Sequence, residues 1–143
     1  MNGDLEKAKT ELMEGEYTCV LRKDGKTYTS TQRGVKPLVA WCDSGEDLHG
    51  FSAADKVVGR GAAFLYVLLG VCAVYAGVVS STALDLLKSR GIFVEYGTLT
   101  DHIVNRRGDG VCPFEEAVRE IDDADTAYRV IREKMKEMGI SPD

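Results

Sequence analysis

Leu5, Ala8 and Leu12 recur at helical spacing within a charged stretch, which predicts an amphipathic first helix over residues 4–14, stopped by Gly15. The period of the pattern then falls to two. "YTCVLRKDGKTYTS", Tyr17 to Ser30, offers two short β-prone runs around Asp24-Gly25. Asp-Gly in that setting is the strongest short hairpin signal, so the first two strands are expected as antiparallel neighbours. In "RGVKPLVAWCDSGED" the early Pro37 suits only the first turn of a helix, and Leu38, Val39, Trp41 and Cys42 supply its apolar positions before a Ser-Gly break.

From there strands and helices alternate. "LHGFSAAD" reads as a strand ending at Asp55, Val57 to Leu69 as a helix, and "CAVYAGVV" as a buried strand. Thr82 to Arg90 reads as a helix closed by Gly91, and "IFVEY" as the last strand. Short apolar strands separated by helices imply crossover connections and a parallel sheet covered on both faces. The C-terminal third reads as helical around a polar, Gly-rich loop from Asn105 to Gly110, with a charged helix from Asp125 onward. The expected fold class is therefore α/β. A single domain is expected over residues 1–143, with the C-terminal helices from about residue 113 packed on or beside it.

The chain has 143 residues, 44% of them hydrophobic and 29% charged, which is enough to bury a core without disulfides or a structural metal. Its net charge of −5 argues against general binding to a nucleic-acid polymer, because phosphate contacts need a basic face. Cys19, Cys42, Cys72 and Cys112 are widely spaced and form no CxxC pair, and the N-terminal stretch lacks a signal-peptide core. A cytoplasmic protein with reduced thiols is expected. Ala62 to Val79 is an uncharged run of membrane-spanning length, but Gly70 and Gly77 interrupt it and "VCAVYAGVV" suits a strand. The reading is a buried helix followed by a buried strand, with no membrane partner.

Four motifs, "RGVKPL", "ADKVVG", "VYAGVVS" and "NRRGDGVCPFE", resemble the uncharacterised family called domain of unknown function 1893, over roughly residues 5–130. That family is assigned to the cytidine-deaminase-like fold, and the order helix, antiparallel hairpin, helix, then alternating strands and helices is similar to it. The resemblance implies a three-layer α-β-α fold with a five-stranded mixed sheet and an antiparallel first hairpin. It also implies a nucleotide-like ligand, and a homo-oligomer, as is common on this fold.

Zinc enzymes of that fold carry His-Ala-Glu or Cys-Ala-Glu at the start of the second helix and Pro-Cys-x-x-Cys at the start of the third. Here the corresponding stretches are Gly34 to Pro37 and Asp55 to Gly59. Tetrahedral catalytic zinc needs three converging protein donors, and only Asp55 among these residues could ligate it. Zinc-dependent deamination, a metal site and a cofactor are therefore not expected.

In open sheets ligands sit at the carboxyl ends of strands, near helix N-termini. That rule selects Arg33 to Lys36, Asp55 to Gly61 and Ser80-Ser81. Asp55 reads most simply as the N-cap of the third helix. Lys56 at a helix start opposes the dipole unless an anion is near, so Arg33, Lys36 and Lys56 together suggest a phosphate cradle. Gly59 and Gly61 admit either close packing or close approach of a ligand. Gly34, Ser80 and Asn105 complete the expected ligand-binding set; Ser80 is also an ordinary cap, and Asn105 also an ordinary turn residue.

Two functions other than binding are compatible with these residues. One is a metal-independent nucleotide-modifying or group-transfer enzyme, with Asp55 or Cys112 as nucleophile or base and Lys56 as charge stabiliser. Against Cys112 stand the acids Glu115 and Glu116 beside it. The other is a protein-interaction module with a vestigial pocket.

Overall fold

The structure, a computed structural model, describes residues 3–32, 34–105 and 108–141. The elements in chain order are α1 (Gly3–Glu14), β1 (Cys19–Lys23), β2 (Lys26–Ser30), α2 (Lys36–Asp43), β3 (Ser52–Val58) and α3 (Arg60–Leu69). They continue as β4 (Ala73–Ser80), α4 (Ser81–Ser89), β5 (Phe93–Thr100), α5 (Pro113–Ala117) and α6 (Ala124–Glu137). The protein is α/β, with six helices among the described residues and one five-stranded mixed sheet ordered β2-β1-β3-β4-β5. β1 runs antiparallel to both β2 and β3, whereas β3, β4 and β5 are parallel.

Local chemistry explains most boundaries. Asp24 and Gly25 both have positive φ, 48° and 83°, as a two-residue type I′ turn requires. Pro37 lies in the first turn of α2. α3 stops at Gly70, whose left-handed backbone donates its N–H to the Tyr66 and Val67 carbonyls. Ser80 caps α4 by accepting from the Ala83 N–H, and Asp123 caps α6 by accepting from the Thr126 N–H.

The core divides between the two faces of the sheet. Leu5, Ala8 and Leu12 of α1 cluster with Val20, Ala54, Ala73 and Tyr75. The larger cluster joins α2 through α6 to Leu21, Ala53, Val58, Val74, Ala76 and Val79. Strict alternation would put Val57 and Val78 on that larger side, yet Val58 and Val79 take the place. The phase slips by one residue at Lys56 and at Gly77. Pairing resumes with unchanged offset beyond both, and again beyond Gly97 in β5, so one kink crosses three strands. Glycine is needed at this row because a Cβ on Gly77 would stand 2.7 Å from the Lys56 carbonyl oxygen. A Cβ on Gly97 would likewise stand 2.9 Å from that of Gly77.

Three boundaries beyond the hairpin differ from the sequence expectation. β3 does not end at Asp55 but continues to Val58, because β4 pairs with it as far as Val58 and the Lys56 N–H donates to the Thr18 carbonyl. α3 accordingly begins at Arg60 rather than Val57, and β5 extends past Tyr96 to Thr100. Among the described residues, no helix is long and apolar enough to cross a membrane.

Candidate functional site

Asp55 is not a helix cap. It lies within β3 at the seam with β1, where Cys19 faces it in register, and its side chain turns toward α3. Tyr66, one turn before the end of α3, donates its hydroxyl to Asp55 Oδ2 at 2.7 Å. The Tyr66 oxygen lies 3.2 Å from Cys19 Sγ. Tyr66 has given its only hydroxyl hydrogen to the carboxylate, so the Cys19 thiol is the donor in that contact. Asp55 Oδ1 accepts a long bond, 3.4 Å, from the Val57 N–H.

Burial dominates the electrostatics of this trio. Asp55 is 8% exposed, and removal from water pushes its carboxyl up to about 7, against the lowering effect of the Tyr66 hydroxyl and the Val57 and Lys56 N–H groups. Burial likewise pushes Tyr66 and Cys19 up, helped by the neighbouring Asp55 charge. Cys19 is therefore a protonated, inert thiol, and Asp55 is the member that changes charge near neutrality.

A second polar cluster joins the starts of α3 and α4. Glu115 of α5 is 7% exposed, and its Oε2 accepts from the Arg60 backbone N–H at 2.9 Å and from the Ser80 hydroxyl. Its Oε1 accepts from the Ile103 N–H. Arg60 answers with its guanidinium, which donates to the Val118 and Ile121 carbonyls beyond α5. An acceptor anion does sit at the start of α3, and it belongs to the protein itself. This also explains the glycines there. A Cβ on Gly59 would stand 3.0 Å from both Glu115 Oε2 and Ile103 Cγ1, and one on Gly61 would stand 3.3 Å from the Phe114 carbonyl.

The expected site residues therefore separate. Gly59, the N-cap of α3, and Ser80 meet through Glu115. Lys56 is exposed within β3, whereas Asp55 beside it is buried, and Lys56 is not at a helix start. Lys36 begins α2, half-buried and without an ion pair among the described residues. Gly34 occupies the preceding turn with φ +66°. Arg33 lies outside the described residues. Asn105 closes its own turn by exchanging hydrogen bonds with Asp109. Cys112 is the half-buried N-cap of α5. Tyr66 and Glu115 were not foreseen, and no motif marks either, because their partners lie 11, 35 and 55 residues away in sequence.

A surface groove of about 410 Å³ runs between β2 and α2, lined by Thr29, Ser30, Gln32, Pro37 and Trp41 among others, one strand removed from Asp55. Ser30 faces Cys19, which faces Asp55. Among the described residues no three His, Cys, Asp or Glu side chains converge as metal ligands.

Fold and polar clusters together define an α/β protein with a mixed five-stranded sheet and a buried carboxylate midway along its central strand. The chain belongs to the domain of unknown function family DUF1893, whose model matches residues 7–135. It is similar in structure to a DUF1893 family protein from Thermotoga maritima, with 26% identity, a TM-score of 0.83, and coverage of 94% of this chain and 92% of that one. A more distant likeness is to a diaminohydroxyphosphoribosylaminopyrimidine deaminase/5-amino-6-(5-phosphoribosylamino)uracil reductase from the same organism. There the identity is 16% and the TM-score 0.43, over 80% of this chain and 40% of that one. Comparison with curated proteins finds no match.

Proposed function

We propose that this DUF1893 protein binds a nucleotide-like small molecule at the carboxyl end of β3, on a three-layer cytidine-deaminase-like scaffold and without zinc chemistry. The observation that carries the reading is Asp55. A carboxylate buried in the middle of β3, beside the seam with β1 where strand order reverses, lies three residues before the carboxyl end at which open α/β sheets take their ligands. Tyr66 holds one of its oxygens, and the other retains acceptor capacity for an amino or imino group. The start of α2, with Lys36 and no side-chain cap, supplies positive potential for a phosphate. The groove beside Ser30 and Gln32 falls within the size range of small-molecule sites.

The nucleotide character of the ligand comes from the resemblance to the deaminase-like fold. The zinc-free part of the reading rests on the donor set. The starts of α2 and α3 present Gly34 to Pro37 and Gly59 to Gly61, with no thiol, imidazole or carboxylate between them. Calorimetric titration of the wild type with a panel of mononucleotides tests the reading. Binding weakened by Asp55→Asn and by Lys36→Ala, and indifferent to Lys56→Ala at an exposed position of β3, supports it. Binding unchanged in the first two variants refutes it.

A further inference from the structure

The sheet ends on β5, which among the described residues pairs only with β4 and leaves its other backbone edge without a strand partner. That edge strand is eight residues long, roughly 26 Å at ordinary strand rise. Phe93, Tyr96 and Leu99 along it are 58%, 41% and 47% exposed, and the exposed Val104 and Val111 continue the apolar surface into the turn that follows. Native edges of this length are normally protected by lysine, proline, an edge bulge or a covering element. β5 contains neither lysine nor proline. The irregularity at Gly97 is not an edge bulge, because it runs through β3 and β4 and leaves the pairing offset unchanged.

Charge decides what covers the edge. The chain carries a net −5, so a surface used by two identical copies must be clear of acids. β5 holds a single one, Glu95, and Lys9 of α1 neutralises it within the same molecule at 2.5 Å. The opposite edge differs. β2 carries Lys26, and its one large aromatic, Tyr28, is committed to Trp41, Phe51 and the Glu46 carboxylate. We infer that β5 is the contact surface of a homodimer, in which two copies pair their β5 edges antiparallel about a two-fold axis. Two-fold symmetry makes such an interface self-complementary and closed, and joins the two sheets into one of ten strands whose outer edges are both β2.

Sedimentation velocity over a concentration series tests this, with hydrogen–deuterium exchange of the β5 amides as a second readout. The wild type should sediment at twice the chain mass, with β5 amides protected in step with the dimer fraction. Tyr96→Lys and Leu99→Lys change exposed positions, so they should sediment at the chain mass with unchanged circular dichroism and lose that protection. A wild type that stays at the chain mass throughout the series would overturn the proposal, as would lysine variants that remain dimeric. A monomer whose β5 amides become protected only on addition of a synthetic extended peptide would assign the edge to another chain and also overturn it.

Discussion

Tyr66 gives its hydroxyl hydrogen to Asp55 across 2.7 Å, and that bond ties α3 to the central strand of the sheet. It also fixes Cys19 as the donor on the other side of the same oxygen. Removing the hydroxyl in Tyr66→Phe should cost about 1–3 kcal/mol at pH 8, where the carboxylate is ionised, and less at pH 5, where it is protonated. Urea unfolding at the two pH values measures both costs.

Asp55 itself should make stability depend on pH in the sense opposite to a salt-bridged carboxylate. Its ordinary value of 3.8 rises to about 7 in the folded state, so between those limits the folded chain holds more protons than the unfolded one. Stability then falls as pH rises from about 4 to about 7, and is level above. The total is on the order of 4 kcal/mol, since each tenfold difference in proton affinity between the two states is worth about 1.4 kcal/mol. Asp55→Asn should abolish this contribution, so the difference in unfolding free energy between wild type and variant should follow that curve. A flat difference across the range would mean that Asp55 stays ionised when buried.

Glu115 joins three segments with one carboxylate. Glu115→Ala strands the Arg60 N–H and the Ser80 hydroxyl and should cost about 2–4 kcal/mol, whereas Glu115→Gln keeps an acceptor and should cost roughly half as much. Chemical denaturation followed by circular dichroism orders the two. Equal losses would argue that the negative charge, rather than the hydrogen bonds, holds α5 in place.

The kink across the sheet ranks two glycine substitutions. Gly77→Ala drives a Cβ to 2.7 Å from a backbone oxygen that only a strand movement can relieve, so about 3 kcal/mol should be lost. Gly34→Ala meets open space and should lose only about 1–2 kcal/mol, from its positive φ of 66°. Thermal unfolding of both variants checks the order.

The order of helices and strands was legible because each depends on local pattern: Leu5, Ala8 and Leu12 at helical spacing, Asp24-Gly25 in its turn, Pro37 in a first turn, Gly70 beyond a helix. The end of β3 was not. Asp55 resembles a helix cap in isolation, and only pairing with β1 and β4 and the hydroxyl of Tyr66 keep it in a strand. Lys56 moves into the strand with it, so the cradle expected at α3 dissolves. The anion implied by a helix start there is real, but Glu115 lies 55 residues beyond Arg60 and its adjacency is a product of the fold. Gly59 and Gly61 do need a reason, and the α5 segment supplies it.

Native mass spectrometry of gently purified wild type and Asp55→Asn, run side by side, tests ligand binding at the β3 seam most directly. The expected result is a nucleotide-sized mass on the wild type that is lost on denaturation and absent from the variant. A bare wild-type chain, or a mass carried equally by both proteins, would contradict a ligand held at Asp55.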